Sequence, residues 1–297
     1  MVGITRRQFC AGTVAAGAAL ISPRLRAEPG MLTRPIPRTG EALPVIGLGT
    51  WQTFDVGEDG RAPLAQVLAA FLDGGGRVID SSPMYGRAET TVGDLLRAAG
   101  RVKEAFLATK VWTSGGERGQ AQMRESIRKM GRVDLMQVHN LVDWKVHLPT
   151  MREWKAQGTF RYVGITHYGL GTFDEMEQIL RKEKLDFIQL PYSAATRAAE
   201  KRLLPAAADT QTAVLVMRPF EEGELFARVR GKPLPGWAAE AGAASWAQLF
   251  LKFIVGHPAV TCVIPATAKV AHLVDNLGGG RGPLPDDKLR AKIAGLV

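Results

Sequence analysis

The sequence predicts one (β/α)8 barrel with a short extra C-terminal helix, on three observations. Apolar runs of strand length recur eight times, segments with helical spacing separate them, and 297 residues, 46% of them hydrophobic, can bury one large core. A barrel of about 250 residues is an ordinary size for that architecture. Eight strands alternating with helices predict a parallel sheet that closes.

Strands are expected near 44–50, 77–82, 106–112, 133–139, 161–166, 186–192, 213–219 and 260–265. Runs such as Ala213-Val-Leu-Val-Met217 are apolar on both faces, as suits strands buried between barrel interior and helices. Helical spacing covers 62–73, 90–99, 120–130, 148–157, 172–181 and 245–255, and 285–295 reads as a final helix. Gly74–Gly76 and the Gly256-His257-Pro258 triplet end helices, which makes His257 a cap or surface residue. Residues 278–283 read as a loop and 28–41 as a linker, so the domains are 1–27, a leader, and 28–297, one barrel.

Four strand ends carry chemistry. Residues 77–89 (RVIDSSPMYGRAE) set Asp80 five residues before Tyr85, where an apolar run meets a glycine turn. The run 106–110 ends in Lys110 and the run 133–139 ends in His139. This Asp, Tyr, Lys, His order, with 186–193 (DFIQLPYS) and 263–267 (VIPAT), resembles the aldo-keto reductases from about Leu43 to Asn276. The resemblance implies NAD(P)H-dependent reduction of small aldehydes, ketones or α-dicarbonyls, with Asp80, Tyr85, Lys110 and His139 as the catalytic tetrad.

Carbonyl reduction needs a hydride at carbon and a proton at oxygen. A phenol, with a pKa of about 10, shuttles protons poorly at neutral pH unless its anion is stabilised. Lys110 would supply that stabilisation, Asp80 would keep a buried Lys110 charged, and His139 would fix the carbonyl's angle by a hydrogen bond. Tyr85 is then the general acid. Singly, each has a plainer use: Asp80 as a turn cap, Tyr85 as packing, Lys110 as a snorkelling chain, His139 as a core histidine. In register at successive strand ends, catalysis is the better account.

The same resemblance implies NADP as cofactor, with NAD as the alternative. Thr166, His167 and Gln189 fall where the family holds the carboxamide, although the family commonly has Ser-Asn where this chain has Thr166-His167. Met217 takes the place of a stacking aromatic, and Gly49 and Thr50 end the first strand. Arg218 and Pro219 lie in the pyrophosphate region, where Glu221 replaces a usual glycine and sets a negative charge close to phosphates. Thr267 and His272 match phosphate-side positions, and Asp275 and Asn276 an adenine-binding pair; Ala266 stands where a strongly basic residue is frequent, with Lys269 nearby. Trp51 and Trp112 are expected in the substrate pocket. Family members often carry a long C-terminal loop; little chain remains here to build one, so the pocket is expected to be open.

The formal charge is +9, but Arg6, Arg7, Arg24 and Arg26 lie in the first 27 residues without an acid, and removing those four leaves +5. The remaining charges are interspersed, which disfavours a nucleic-acid partner. Thr5-Arg6-Arg7-Gln8-Phe9, followed by an apolar run to Ile21, resembles a twin-arginine export signal. That run is too short for stable membrane insertion, which fits a removable signal with cleavage after Ala27, and the resemblance implies export in folded form to the periplasm. Of two cysteines, Cys10 falls in the signal and Cys262 in the last strand as a core residue, leaving no disulfide. His147, His167, His257 and His272 have no metal-ligand spacing. A monomer is the working expectation, and a nucleotide-binding redox sensor or interaction subunit on the same barrel is the alternative function.

Overall fold

The computed structural model describes residues 30–297, so the expectations for residues 1–27 lie outside the described residues. Eight parallel strands pair in chain order: β3 (Leu48–Gly49), β4 (Val78–Asp80), β5 (Phe106–Val111), β6 (Leu135–His139), β7 (Tyr162–Thr166), β8 (Phe187–Pro191), β9 (Ala213–Met217) and β10 (Cys262–Val263). The sheet closes through isolated bridges from Ile46 to Val263 and from Gly49 to Ala266. There the Gly47 N–H donates to the Val263 carbonyl at 2.8 Å and the Gly49 N–H to the Pro265 carbonyl at 3.1 Å. This is the expected (β/α)8 barrel. Its first and last strands are shorter than the apolar runs because closure uses these bridges in place of a continuous ladder.

The connections carry α1 (Arg61–Asp73), α2 (Ala88–Ala98), α3 (Gly116–Met130), α4 (Trp144–Ala156), α5 (Phe173–Lys182), α6 (Leu203–Asp209), α7 (Glu224–Arg228), α8 (Trp246–Val255) and α9 (Val270–Gly278), and α10 (Asp287–Ala294) follows. Helix α3 begins at Gly116, four residues before its apolar spacing shows, because its first turn is Gly-Glu-Arg-Gly. Ser245 caps α8 by accepting from the Gln248 N–H, and Asp286 caps α10 by accepting from the Leu289 N–H.

The supposed linker 28–41 is corrected by the structure. It holds most of an antiparallel hairpin, β1 (Thr33–Pro35) with β2 (Ala42–Pro44). Strands of three residues bounded by prolines give no period-two signal to read. The hairpin plugs the barrel floor with Ile36 and Leu43, which pack on Val78, Phe106, Leu135, Tyr162, Phe187, Ala213 and Cys262. Arg34 reaches across the same floor and donates to the carbonyls of Val255 at 2.6 Å, Val260 at 2.5 Å and His257. These include carbonyls at the open end of α8. His257 is accordingly half-buried, its ring edge-on to Tyr192 at 6.0 Å.

Alternation along the strands sorts the barrel interior into layers. Val78, Phe106, Leu135, Tyr162, Phe187 and Ala213 form an apolar floor. Two or four residues further along each strand come Asp80, Lys110, Gln137, His139, Thr166, Gln189 and Met217. One face of β4 to β8 thus changes from oily to polar along its length, and the polar ends of parallel strands must meet.

Candidate active site

The polar end begins with a buried ion pair. Lys110 is fully buried and Asp80 is 3% exposed; Lys110 Nζ donates to Asp80 Oδ2 at 2.7 Å and to the Ser81 carbonyl at 2.6 Å. The other carboxylate oxygen accepts from Gln137 Nε2 at 3.2 Å and Gln189 Nε2 at 2.9 Å. A charge pair in the interior persists only when its spare lone pairs and protons are satisfied, and here most of them are. Burial works to discharge Lys110, but Asp80 and Tyr85 outweigh it and hold the ammonium above its ordinary range.

Tyr85 sits on the turn after β4. Its N–H donates to the Ser82 carbonyl at 3.0 Å, and the next residue, Gly86, takes φ +59° with Asp55 so close that a side chain would collide. Lys110 Nζ lies 5.0 Å from the Tyr85 ring centroid. The sequence led to the expectation that Lys110 would make the phenol more acidic. Its pull is present, but burial exceeds it and Tyr85 stays above its usual pKa, a protonated phenol at neutral pH. His139 stands edge-on to Tyr85 at 5.9 Å, and its Nδ1 is 2.9 Å from Ser82 Oγ. Burial first, then Lys110 and His167, push His139 down to about 3, so its ring is neutral.

These groups open into a cleft of about 680 Å³ at the C-terminal ends of the strands. Gly49, Thr50, Trp51, Asp80, Tyr85, His139, Gln189, Met217, Arg218 and Pro219, all singled out from sequence, line it, with Lys110 underneath. Thr267, His272, Asp275 and Asn276 line a second hollow of about 410 Å³, which shares Phe220, Phe226 and Ala266 with the first.

A model of the aldo/keto reductase family matches residues 45–292. The chain belongs to the aldo-keto reductase family. Among relatives, the methylglyoxal reductase YeaE of Escherichia coli K12 is 28% identical, across 79% of this chain and 84% of that one. An NADH-specific methylglyoxal reductase of the same organism is 25% identical, across 88% and 92%. Among solved structures, a Klebsiella pneumoniae aldo/keto reductase in complex with NADP and acetate superposes with a TM-score of 0.71 at 26% identity, covering 86% of this chain and 91% of that one.

Besides Lys110, three residues expected at the site line neither hollow. Thr166 is buried and donates through Oγ1 to Gln189 Oε1 at 3.0 Å, so it orients Gln189. His167 accepts from the Gly169 N–H at 2.9 Å and stacks on Tyr168, which is the residue that lines the cleft. Trp112 stands at the rim, 6.3 Å from the His139 ring and 41% exposed. Glu221 is turned away from the cleft: its carboxylate accepts from Ser193 Oγ at 2.6 Å and from Thr196 Oγ1. Glu222 instead faces Arg218, at 3.1 Å.

Gln52, Asn140 and Arg218 line the cleft with φ of 59°, 53° and 54°. Left-handed backbone at non-glycine residues is costly and gathers at functional sites. Sequence reading passed over Ser82, Gln137, Tyr168 and Phe226. Gln137 was legible: it is the one amide in the run Leu135–His139 and lies two residues before His139, on the same face. Ser82 gave no signal, since only the fold brings it to His139.

Proposed function

We propose that this chain reduces small aldehydes, ketones and α-dicarbonyls with a reduced nicotinamide dinucleotide, NADPH ahead of NADH, and that Tyr85 is the proton donor. The observation that carries the reading is the meeting of Tyr85 and His139 over a paired Lys110 and Asp80 in one cleft. A reduced nicotinamide bound there would supply the hydride.

The residues divide the remaining work. Burial keeps the proton on the Tyr85 oxygen, from which it passes to the carbonyl oxygen. The phenolate left behind faces the Lys110 ammonium, and Asp80, held by Gln137 and Gln189, keeps that ammonium charged. Neutral His139 orients the carbonyl. The residues present fit a dinucleotide, because two hollows joined at Phe220, Phe226 and Ala266 offer one place for each half of such a ligand. Gln189, Met217 and Arg218 would hold the nicotinamide half, and Thr267, His272, Asp275 and Asn276 the adenosine half. Ser245 Oγ and Gln248 Nε2 each donate to Asp275 at 2.8 Å, fixing it for that purpose.

The substrate class draws support from the relatives named as methylglyoxal reductases, and NADPH from the Klebsiella structure named with NADP; the NADH-specific relative supports the alternative. Lys269, beside Thr267, offers a cation to a third phosphate and His272 a ring nitrogen for a hydrogen bond, which favours NADPH. The test follows nicotinamide absorbance with NADPH and then NADH over a panel of aldehydes, ketones and dicarbonyls, with Tyr85→Phe as control. Turnover lost in the control supports the reading. Tight nucleotide binding with no turnover replaces it with a sensor.

The proposal includes export of the folded, loaded protein through the Thr5–Phe9 motif, supported by that motif alone. An Arg6→Lys, Arg7→Lys double variant should stay in the cytoplasm, and unchanged export would reject the signal.

A further inference from the structure

The Ser82 hydroxyl is fully buried and, among the described residues, has two hydrogen-bonding partners: His139 Nδ1 at 2.9 Å and the Met84 N–H at 3.4 Å. The Met84 N–H can only donate. The Ser82 proton therefore has one acceptor available, His139 Nδ1. The neighbouring hydroxyls do not compete, since Thr50 Oγ1 donates to Ser81 Oγ at 3.0 Å and to the Asp80 carbonyl at 3.0 Å. A neutral imidazole carries one proton on two nitrogens, and the hydrogen bond made by one nitrogen decides where that proton sits.

We propose that Ser82 is a positioning residue: by donating to His139 Nδ1 it fixes the tautomer with the proton on Nε2, the nitrogen left to donate to the substrate carbonyl. This deepens the reductase reading and rests on it. The backbone points the same way. The Ser82 carbonyl accepts from the Tyr85 N–H at 3.0 Å, so one residue holds both groups that would meet the carbonyl oxygen, Tyr85 through its main chain and His139 through its side chain. Pro83 follows, which keeps Ser82 in extended backbone and limits alternative conformations. Without the hydroxyl, Nδ1 has no donor, and a ring with its proton on Nδ1 presents a lone pair to the carbonyl oxygen, which repels it.

The test uses the full chain labelled with 15N-histidine, whose Nδ1 and Nε2 shifts separate protonated from unprotonated nitrogens, with His139 assigned by its loss in His139→Gln. In the wild type, Nε2 should read as protonated and Nδ1 as acceptor. Ser82→Ala should shift that signature and lower kcat/KM roughly tenfold or more, mainly in kcat, as loss of an aligned oxyanion donor does. Nucleotide affinity should be unchanged, which a general loosening of the fold would not leave intact, and Ser82→Thr should restore both readouts. A wild-type ring protonated on Nδ1 overturns the proposal, and so does a Ser82→Ala protein with an unaltered nitrogen signature or an unaltered kcat/KM. Absence of turnover by the wild type on any carbonyl defeats the reductase reading separately, because the nitrogen shifts are read without substrate.

Discussion

The floor of the cleft and the loop that carries Arg218 and Glu222 are built on opposite principles. At the floor, Asp80 takes Lys110 on one oxygen and two glutamine amides on the other, all of them buried. At the loop, Arg218 and Glu222 face each other at 3.1 Å with side chains 40% and 50% exposed, on backbone with φ of 54° and 57°. A charge in the interior must keep its partner, whereas the same pair in water contributes little and can be exchanged at small cost. The departures from the family's pattern are His167, Met217, Glu221 and Ala266, and Asp80, Tyr85, Lys110 and His139 show none.

The largest effect should come from the floor. Tyr85→Phe removes the proposed proton donor while leaving ring packing, and kcat/KM is expected to fall on the order of 10²- to 10⁴-fold. Nucleotide affinity, read by fluorescence titration, should hold; a matching fall in affinity would erase the division between chemistry and binding. Lys110→Met is expected to cost stability as well, because it strands the Asp80 charge, and breaking one side of a buried pair costs about 3–5 kcal/mol. The amides of Gln137 and Gln189 still solvate Asp80, so the loss should sit at the lower end. Urea unfolding of the two variants makes the comparison: Tyr85→Phe near wild type, Lys110→Met well below it.

The acid limb of stability comes next in size. Burial holds His139 down to about 3 and His257 down to about 4, so the folded state binds these protons later than the unfolded chain, whose histidines titrate near pH 6.5. Between pH 6.5 and about 4 the unfolded state therefore carries more protons, and stability must fall as pH falls through that window. Above pH 6.5 both states are neutral at these sites and the contribution is flat. Urea midpoints from pH 7 to pH 4 should show this slope, shallower in His139→Gln. An unchanged slope in that variant would mean that the His139 ring is solvated in the folded state.

What the sequence disclosed follows the same division. Long apolar runs and the residues at their ends located the barrel and the cluster of Asp80, Tyr85, Lys110 and His139, because a strand's period puts Val78 and Asp80, or Leu135, Gln137 and His139, on one face without further information. The hairpin β1–β2 was hidden by its three-residue strands and prolines. Thr166 and His167 were assigned from local resemblance, yet their side chains are spent on Gln189 and on Gly169 and Tyr168, partners set by neighbouring strands and turns. Glu221 showed the converse: a charge that looks misplaced in sequence is absorbed by Ser193 and Thr196 across the fold.

The smallest effect tests the loop. Arg218 lines the cleft, but Glu222 already claims its guanidinium. Glu222→Gln releases it without changing size. An exposed pair is worth at most about 1 kcal/mol, so nucleotide affinity should tighten by no more than about fivefold. The gain should shrink as salt rises from low to physiological ionic strength, since both groups are half in solvent. It should also be equal for NADH and NADPH, which share the pyrophosphate. A gain confined to NADPH would put the 2′-phosphate beside Arg218 and transfer the choice of cofactor from Lys269 and His272 to this loop.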